Sequence, residues 1–407
     1  MGFPLNIGRV YIKEQASSWG TAETSFAAAN AISAKVFLPD FAMEALEAET
    51  FRGGWHAHAL EQGSREGAEF TIEHVLQGSS LTTPVADPVE NPDALLIRSA
   101  LGSGAAYGYR SNQLNSAGQT TALIKFLNNQ ATAAGVGMGM LVPVTGLPRE
   151  ITWPKTFTDG ATDDFVPWLN LAAAADYNGG TNVVYGGRTL WTSLTQPTPF
   201  TAQIHLGQSD GNAGVRFRDC AVTGGKLTCL AGKQPIIAHT CKAGYWSIAG
   251  SWTPAIYANQ YPELPMLCGA NGSRVRYGGS ATTFPGVEIE WTSTLGDPVK
   301  NLGATDAFAK YIVVEREFKV TVTELVTDYG GQIYYPGTEV ATGMQIDLCN
   351  IPGRGAGVFV PTYQVGAISK DEGTGLLFRK TTYRTRITTA ETAGANASQS
   401  PARIVIF

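Results

Sequence analysis

Apolar and polar side chains alternate at every second position along much of this chain, a period that only a β-strand turns into one buried face. In Glu69–Val75, Phe70 and Ile72 fall on one side, and Glu69, Thr71 and Glu73 on the other. Residues 287–291 repeat the pattern with Val287, Ile289 and Trp291, and residues 317–323 with Phe318, Val320 and Val322. Shorter versions occur at 344–348 and 403–407. Antiparallel sheets supply the single buried face that such strands need. Gly224-Gly225 is expected to turn a hairpin between 215–223 and 226–231, and Tyr329-Gly330-Gly331 to close the strand that starts at 317. Helix is scarce. The best candidate is Pro92–Leu101, with Asn91 as N-cap, Pro92 at the first helical position and Gly102 as C-cap. A poorer one spans 163–175 and is interrupted by Pro167. Residues 79–91, 155–164 and 389–402 read as loops that order on assembly.

Composition narrows the class. Of 407 residues, 43 % are hydrophobic, enough for a large core, and only 15 % are charged. The average soluble domain carries roughly 25 % charged residues, so much of this surface is expected to be covered by copies of the chain itself. A net charge of −5 offers no cationic field for nucleic acid or anionic lipid. The longest uncharged apolar stretch, 131–144, is too short for a bilayer and is broken by glycines and Pro143. No secretory layout opens the sequence, so folding in a cytoplasm is expected. Charge divides unevenly: residues 1–195 carry 11 basic and 18 acidic side chains, residues 196–407 carry 18 and 16. The break near 195–199 (TQPTP) is the expected boundary between two domains, 1–195 and 196–407.

Chemical motifs are few, and each has a plainer structural explanation. Residues 207–211 (GQSDG) match the spacing of a nucleophile elbow around Ser209 but lead into another strand, where the elbow needs a helix. His56 and His58 share one strand face, but a metal site needs a third ligand and has none nearby in the sequence. The glycine runs 135–139 and 353–357 lack a strand–loop–helix context and read as turns or close backbone approaches. Tyr245, Trp246, Trp252, Tyr257 and Tyr261 crowd one stretch that packing explains, with sugar stacking as the rival. Arg379, Lys380, Arg384 and Arg386 form a basic patch suited to carboxylates of a neighbouring subunit. Eight acidic residues lie between Asp40 and Glu73, Glu69 and Glu73 among them. The cysteines, Cys220, Cys229, Cys241, Cys268 and Cys349, form no CxxC and read as buried thiols, although Cys220 and Cys229 could meet across the expected hairpin. No catalytic residue, cofactor site or structural zinc is expected, and the chain is expected not to be an enzyme.

Several segments together resemble the major tail tube proteins of long-tailed bacteriophages. Residues 11–21 (YIKEQASSWGT) look like the Lys-Glu then Gly-Thr opening of that group, and 67–78 (GAEFTIEHVLQG) like its first long strand. Residues 92–102 (PDALLIRSALG) resemble its short helix ending in Leu-Gly. Residues 218–232 are similar to a recurrent hairpin, and 347–386 to the closing strands. Residues 125–171 have no counterpart. The resemblance implies a mainly β chain of β-sandwich or barrel folds with one or two short helices, two of them in tandem at this length. Three such chains would close a pseudo-sixfold ring; a ring of six single-fold chains is the alternative. Stacked rings would form the virion tail conduit for DNA ejection, assembled in the host cytoplasm. Tape-measure, terminator and tail-tip proteins are the implied partners, with DNA passing unbound and no membrane anchoring. A receptor-binding or lectin-like virion module is the rival function.

Overall fold

The computed structural model describes residues 8–16, 19–38, 45–52, 55–62, 68–76, 78, 91–106, 114–115, 118–127, 133–145, 147–176, 184–205, 214–249, 273–277, 280–282, 284–300, 308–325, 337, 339–340, 342–373, 376–385 and 400–407. The side chains of 45–62 are not among them. The chain is mainly β, and every strand pairing among the described residues is antiparallel.

The largest sheet among the described residues has twelve strands. Gly8–Glu14 pairs with Phe200–His205 on one side and Ala31–Phe37 on the other. The latter passes to Glu69–Val75, then Ile236–Lys242, then the 17-residue strand Gly214–Leu230. Because Phe200–His205 also pairs with Gly214–Leu230, these pairings return on themselves. From the far half of 214–230 the sheet continues through Gly286–Leu295, Val313–Leu325, Leu376–Thr385 and Tyr363–Gly373. A seven-stranded sheet, which includes Arg188–Thr192, Arg274–Tyr277, Met344–Asp347, Ala356–Val360 and Arg403–Ile406, packs against it. The alternation worked as expected in the large sheet: Phe70, Ile72, Val287, Ile289, Trp291, Phe318, Val320 and Val322 are all buried.

The expected division at 195/196 does not separate two cores. Strands 8–14 and 31–37 pair with 200–205 and, through 69–75, with 236–242, and one hydrophobic cluster runs from Val10 to Ile406. A strand whose one face is apolar takes whichever partner buries it, and a composition break in the linker does not decide that.

The helix Pro92–Leu101 forms as its caps dictate. Asn91 Oδ1 accepts from the Ala94 N–H at 2.8 Å, and Gly102 adopts φ 104° to close the last turn. Residues 163–175 are not helical; Thr162–Pro167 is a strand, in which Asp163, Phe165 and Pro167 point inward. Pro167 has no N–H for a helix, and the alternation before it suits a strand. Part of the expected loop 155–164 is likewise a hairpin, pairing Pro154–Thr158 with Thr162–Pro167. Together with Ile124–Leu127, Met140–Val144 and Leu147–Thr152, it builds a small lobe with its own core of Leu114, Ile124, Phe126, Val142 and Phe165. This lobe is the 125–171 stretch for which the resemblance offers no counterpart.

Gly224-Gly225 does not turn the chain. Strand 214–230 runs straight through it with a shift of register between Val222 and Gly224. Gly225 lies opposite Trp291, and a Cβ there would sit 2.3 Å from the indole, which is stacked on Phe318. The glycine therefore makes room for a buried ring. Gly225→Ala is expected to cost about 1–3 kcal/mol by overpacking, read as a lowered urea midpoint; an unchanged midpoint would show that Trp291 repacks freely. Cys220 and Cys229 accordingly lie on one strand, and with Cys241 and Cys349 are buried. Burial pushes the Cys220 and Cys241 thiols up, away from reactivity.

Candidate functional site

The hairpin Tyr363–Gly373/Leu376–Thr385 begins in the core and leaves it. Tyr363, Tyr383 and Tyr277 cluster at one end, Tyr383 meeting Tyr363 edge-to-face and Tyr277 at a tilt, with ring centroids 5.2 and 5.7 Å apart. Among the described residues Glu339–Val340 pairs only with Gln364 and Tyr363, and the Gly337 N–H donates to the Val365 carbonyl at 2.7 Å. Past a register shift between Val365 and Ala367, the outer edge meets no strand among the described residues. Ala367, Ile368, Ser369 and Lys370 are all exposed, so side chains on both faces of this stretch meet solvent. An edge of this kind is a template for another strand, moderated here by Lys370.

A second exposed feature lies where the two sheets meet. Arg316 reaches the C-terminal end of the helix, donating to the Ala100 carbonyl at 2.7 Å, to the Thr195 carbonyl at 2.8 Å and to the Ser193 carbonyl. A cation here complements the helix dipole. It floors a groove of about 350 Å³ whose rim carries Leu194, 59 % exposed, and Val314, 70 % exposed. Glu315, Glu317 and Arg384 also line the groove. Aliphatic side chains clustered this way on a rim mark a contact surface better than single exposed ones do.

Arg379 and Arg384, among the four cations expected to meet another subunit, are engaged within the chain. Arg379 Nη2 is 2.7 Å from Glu324, its cross-strand partner, and Arg384 Nε is 3.7 Å from Glu317. Lys380 is exposed, and Arg386 lies outside the described residues. Glu69 and Glu73 occupy the outer face of their strand, where Lys242 Nζ approaches Glu69 at 4.0 Å.

The opening segment is held by one buried carboxylate. Asp219, at φ 56°, interrupts strand 214–230 and is fully buried. Its Oδ1 accepts from Gln15 Nε2 at 3.0 Å and from the Gly20 N–H at 2.6 Å, and its own N–H donates to Gln15 Oε1 at 2.8 Å. Arg218 Nε lies 3.1 Å from Oδ2. The Gln15 and Gly20 of 11–21 thus clasp a residue two hundred positions away. Spacing alone gave no sign of it.

A third cluster is buried between the helix and the large sheet. His74 and His239 extend the apolar faces of adjacent strands, His239 opposite Ile72 and His74 opposite Ile237, so the rings stack diagonally with centroids 5.9 Å apart. Asp93, in the first helical turn, places Oδ1 2.9 Å from His74 Nε2 and 4.0 Å from His239 Nε2. Burial opposes charge on His74, but the Asp93 carboxylate outweighs it and raises the pKa. Burial and the neighbouring His74 push His239 down to about 3.

Of the residues singled out in the sequence, Ser209, Trp252, Tyr257, Tyr261, Cys268 and the acidic Asp40, Glu44 and Glu66 lie outside the described residues. His56 and His58 are on Trp55–Gln62, which pairs with Ala45–Arg52. Trp246 is buried, and Tyr245 is covered by the Arg218 guanidinium at 4.5 Å. Gly139 lies against Val405, as a close approach requires. No protein-family model matches this chain, and no curated protein matches it significantly.

Proposed function

We propose that this chain is a structural subunit that polymerises with its own copies, the tube-forming subunit of a bacteriophage tail. The observation that carries the reading is the outer edge of strand 363–373 past Val365, which meets no strand among the described residues and whose side chains are exposed from Ala367 to Lys370. A strand added there by a neighbour would continue the sheet from subunit to subunit and remove an open edge. The rim of Leu194 and Val314 supplies apolar area for a second contact. The core shared by both halves favours one sandwich per chain, which under the resemblance means six chains in a ring. Stacked rings would enclose the conduit, with Glu69 and Glu73 of strand 69–75 on its wall to repel DNA phosphate. Tape-measure, terminator and tail-tip proteins would dock at the ends of such a tube.

Negative-stain images of the purified protein at rising concentration test this. Stacked rings are expected, and native mass spectrometry of a single ring is expected to give six copies. Three copies would overturn the count and leave the tube. Monomers at every concentration would overturn the reading itself.

A further inference from the structure

His74 Nδ1 lies 2.9 Å from the Val75 carbonyl, which can only accept, so this nitrogen carries the hydrogen. The Nε2 of a neutral His74 ring is then a lone pair, and it faces a carboxylate oxygen of Asp93 at 2.9 Å. Two acceptors at that distance need a cation between them. A single proton satisfies the pair but does nothing for His239, which is fully buried and whose two ring nitrogens have no hydrogen-bond partner among the described residues. Such an orphan calls for an explanation. His239 Nε2 points at the same carboxylate oxygen from 4.0 Å, and the three donor atoms all lie within 4.8 Å of one another.

We propose that His74, Asp93 and His239 bind a divalent transition-metal ion of the zinc type, which locks the start of the helix onto strands 69–75 and 236–242. Tetrahedral zinc with bonds of about 2.0–2.1 Å sets its ligand atoms roughly 3.3–3.4 Å apart, between the two separations found here. Two imidazoles and one carboxylate select zinc, cobalt or nickel over calcium or magnesium, which demand oxygen shells. The bond from His74 Nδ1–H to a backbone carbonyl is the outer-shell contact that orients a ligating imidazole. Three protein donors leave one position, which a water would take. The ion lies under the helix rather than in the groove beside Arg316, so its role is structural. The ligands come from residues 74, 93 and 239, a spacing no metal motif contains, and none belongs to the His56/His58 pair. This inference stands whether or not the chain forms tubes.

The test is elemental analysis of the full chain, produced in zinc-supplemented medium and dialysed against EDTA. About one zinc per chain is expected in the wild type. His239→Leu and Asp93→Asn, confirmed as folded by circular dichroism, are expected to lower it at least tenfold, while His56→Ala/His58→Ala keeps it. Less than a tenth of an equivalent in the wild type, both as purified and after unfolding and refolding with zinc, would overturn the proposal. So would full zinc content in His239→Leu, which would put the ion elsewhere. If neither ligand variant folds, the His56→Ala/His58→Ala protein decides. Zinc-edge absorption with two imidazoles and oxygen supports the site, and loss of metal or a sulfur shell overturns it.

Discussion

If the chain assembles through this edge as proposed, one of the two substitutions Ala367→Pro and Ile368→Pro is expected to leave a folded subunit that no longer polymerises. Successive N–H groups on a strand point to opposite edges, so one of these two substitutions removes a donor to Leu376–Thr385 and the other a donor facing outward. The variant that loses the outward donor keeps the hairpin, because proline is tolerated on an edge. Its unfolding free energy should stay within about 1 kcal/mol of wild type. Its polymerisation should fail, since each junction loses a ladder hydrogen bond and meets a ring where a neighbouring strand would lie. Light scattering and negative stain read assembly; urea unfolding reads the fold. If both proline variants assemble like wild type, this edge is not the junction.

Asp219→Ala should be the most destabilising single change among those considered. It strips two donors, Gln15 Nε2 and the Gly20 N–H, of a buried acceptor and leaves Arg218 without its ion-pair partner. Breaking a buried, hydrogen-bonded carboxylate costs about 3–5 kcal/mol. Alanine must also hold φ near 56°, a left-handed conformation that adds roughly 1 kcal/mol. Asp219→Asn retains an acceptor oxygen and tolerates that backbone, so a loss of only about 1–2 kcal/mol is expected. Denaturant midpoints separate the two variants. Equal, small losses would mean that the clasp is solvated and that residues 15–20 are held by other contacts.

Much of the large sheet was legible in the sequence because several of its strands bury one face only. Glu69–Val75 and Gly286–Leu295 show the reason: period two matches the pleat, and the polar positions stay outside. The helix was legible because Asn91, Pro92 and Gly102 act on their own neighbours. Gly224-Gly225 misled for the opposite reason. A glycine pair serves a turn and a crowded strand equally well, and only the position of Trp291 decides between them. The domain boundary misled because charge bias reports on surfaces, whereas the pairing of 8–14 with 200–205 is a matter of core.

Local pattern, then, determined several of the strands, the face of each that is apolar, and where the α-helix 92–101 starts and stops. Those are choices made within a few residues, by sterics and by caps. Tertiary structure decided what covers the second face. Met344–Asp347 and Arg403–Ile406 look like half-buried strands, yet all their residues are buried. Leu141, Ile151 and Trp153 of the small lobe close over Phe359 and Val405 on the reverse side. There polar positions meet partners far along the chain: Gln345 Nε2 donates to the Ile151 carbonyl at 2.6 Å, Arg274 Nε meets Asp347 at 2.9 Å, and Arg276 Nη1 meets Glu150 at 2.8 Å. The His74–Asp93–His239 cluster arose in the same way, from a helix laid across two strands. Burying a charge or an imidazole is tolerated only when a distant group meets it, and the sequence does not state which distant groups will arrive.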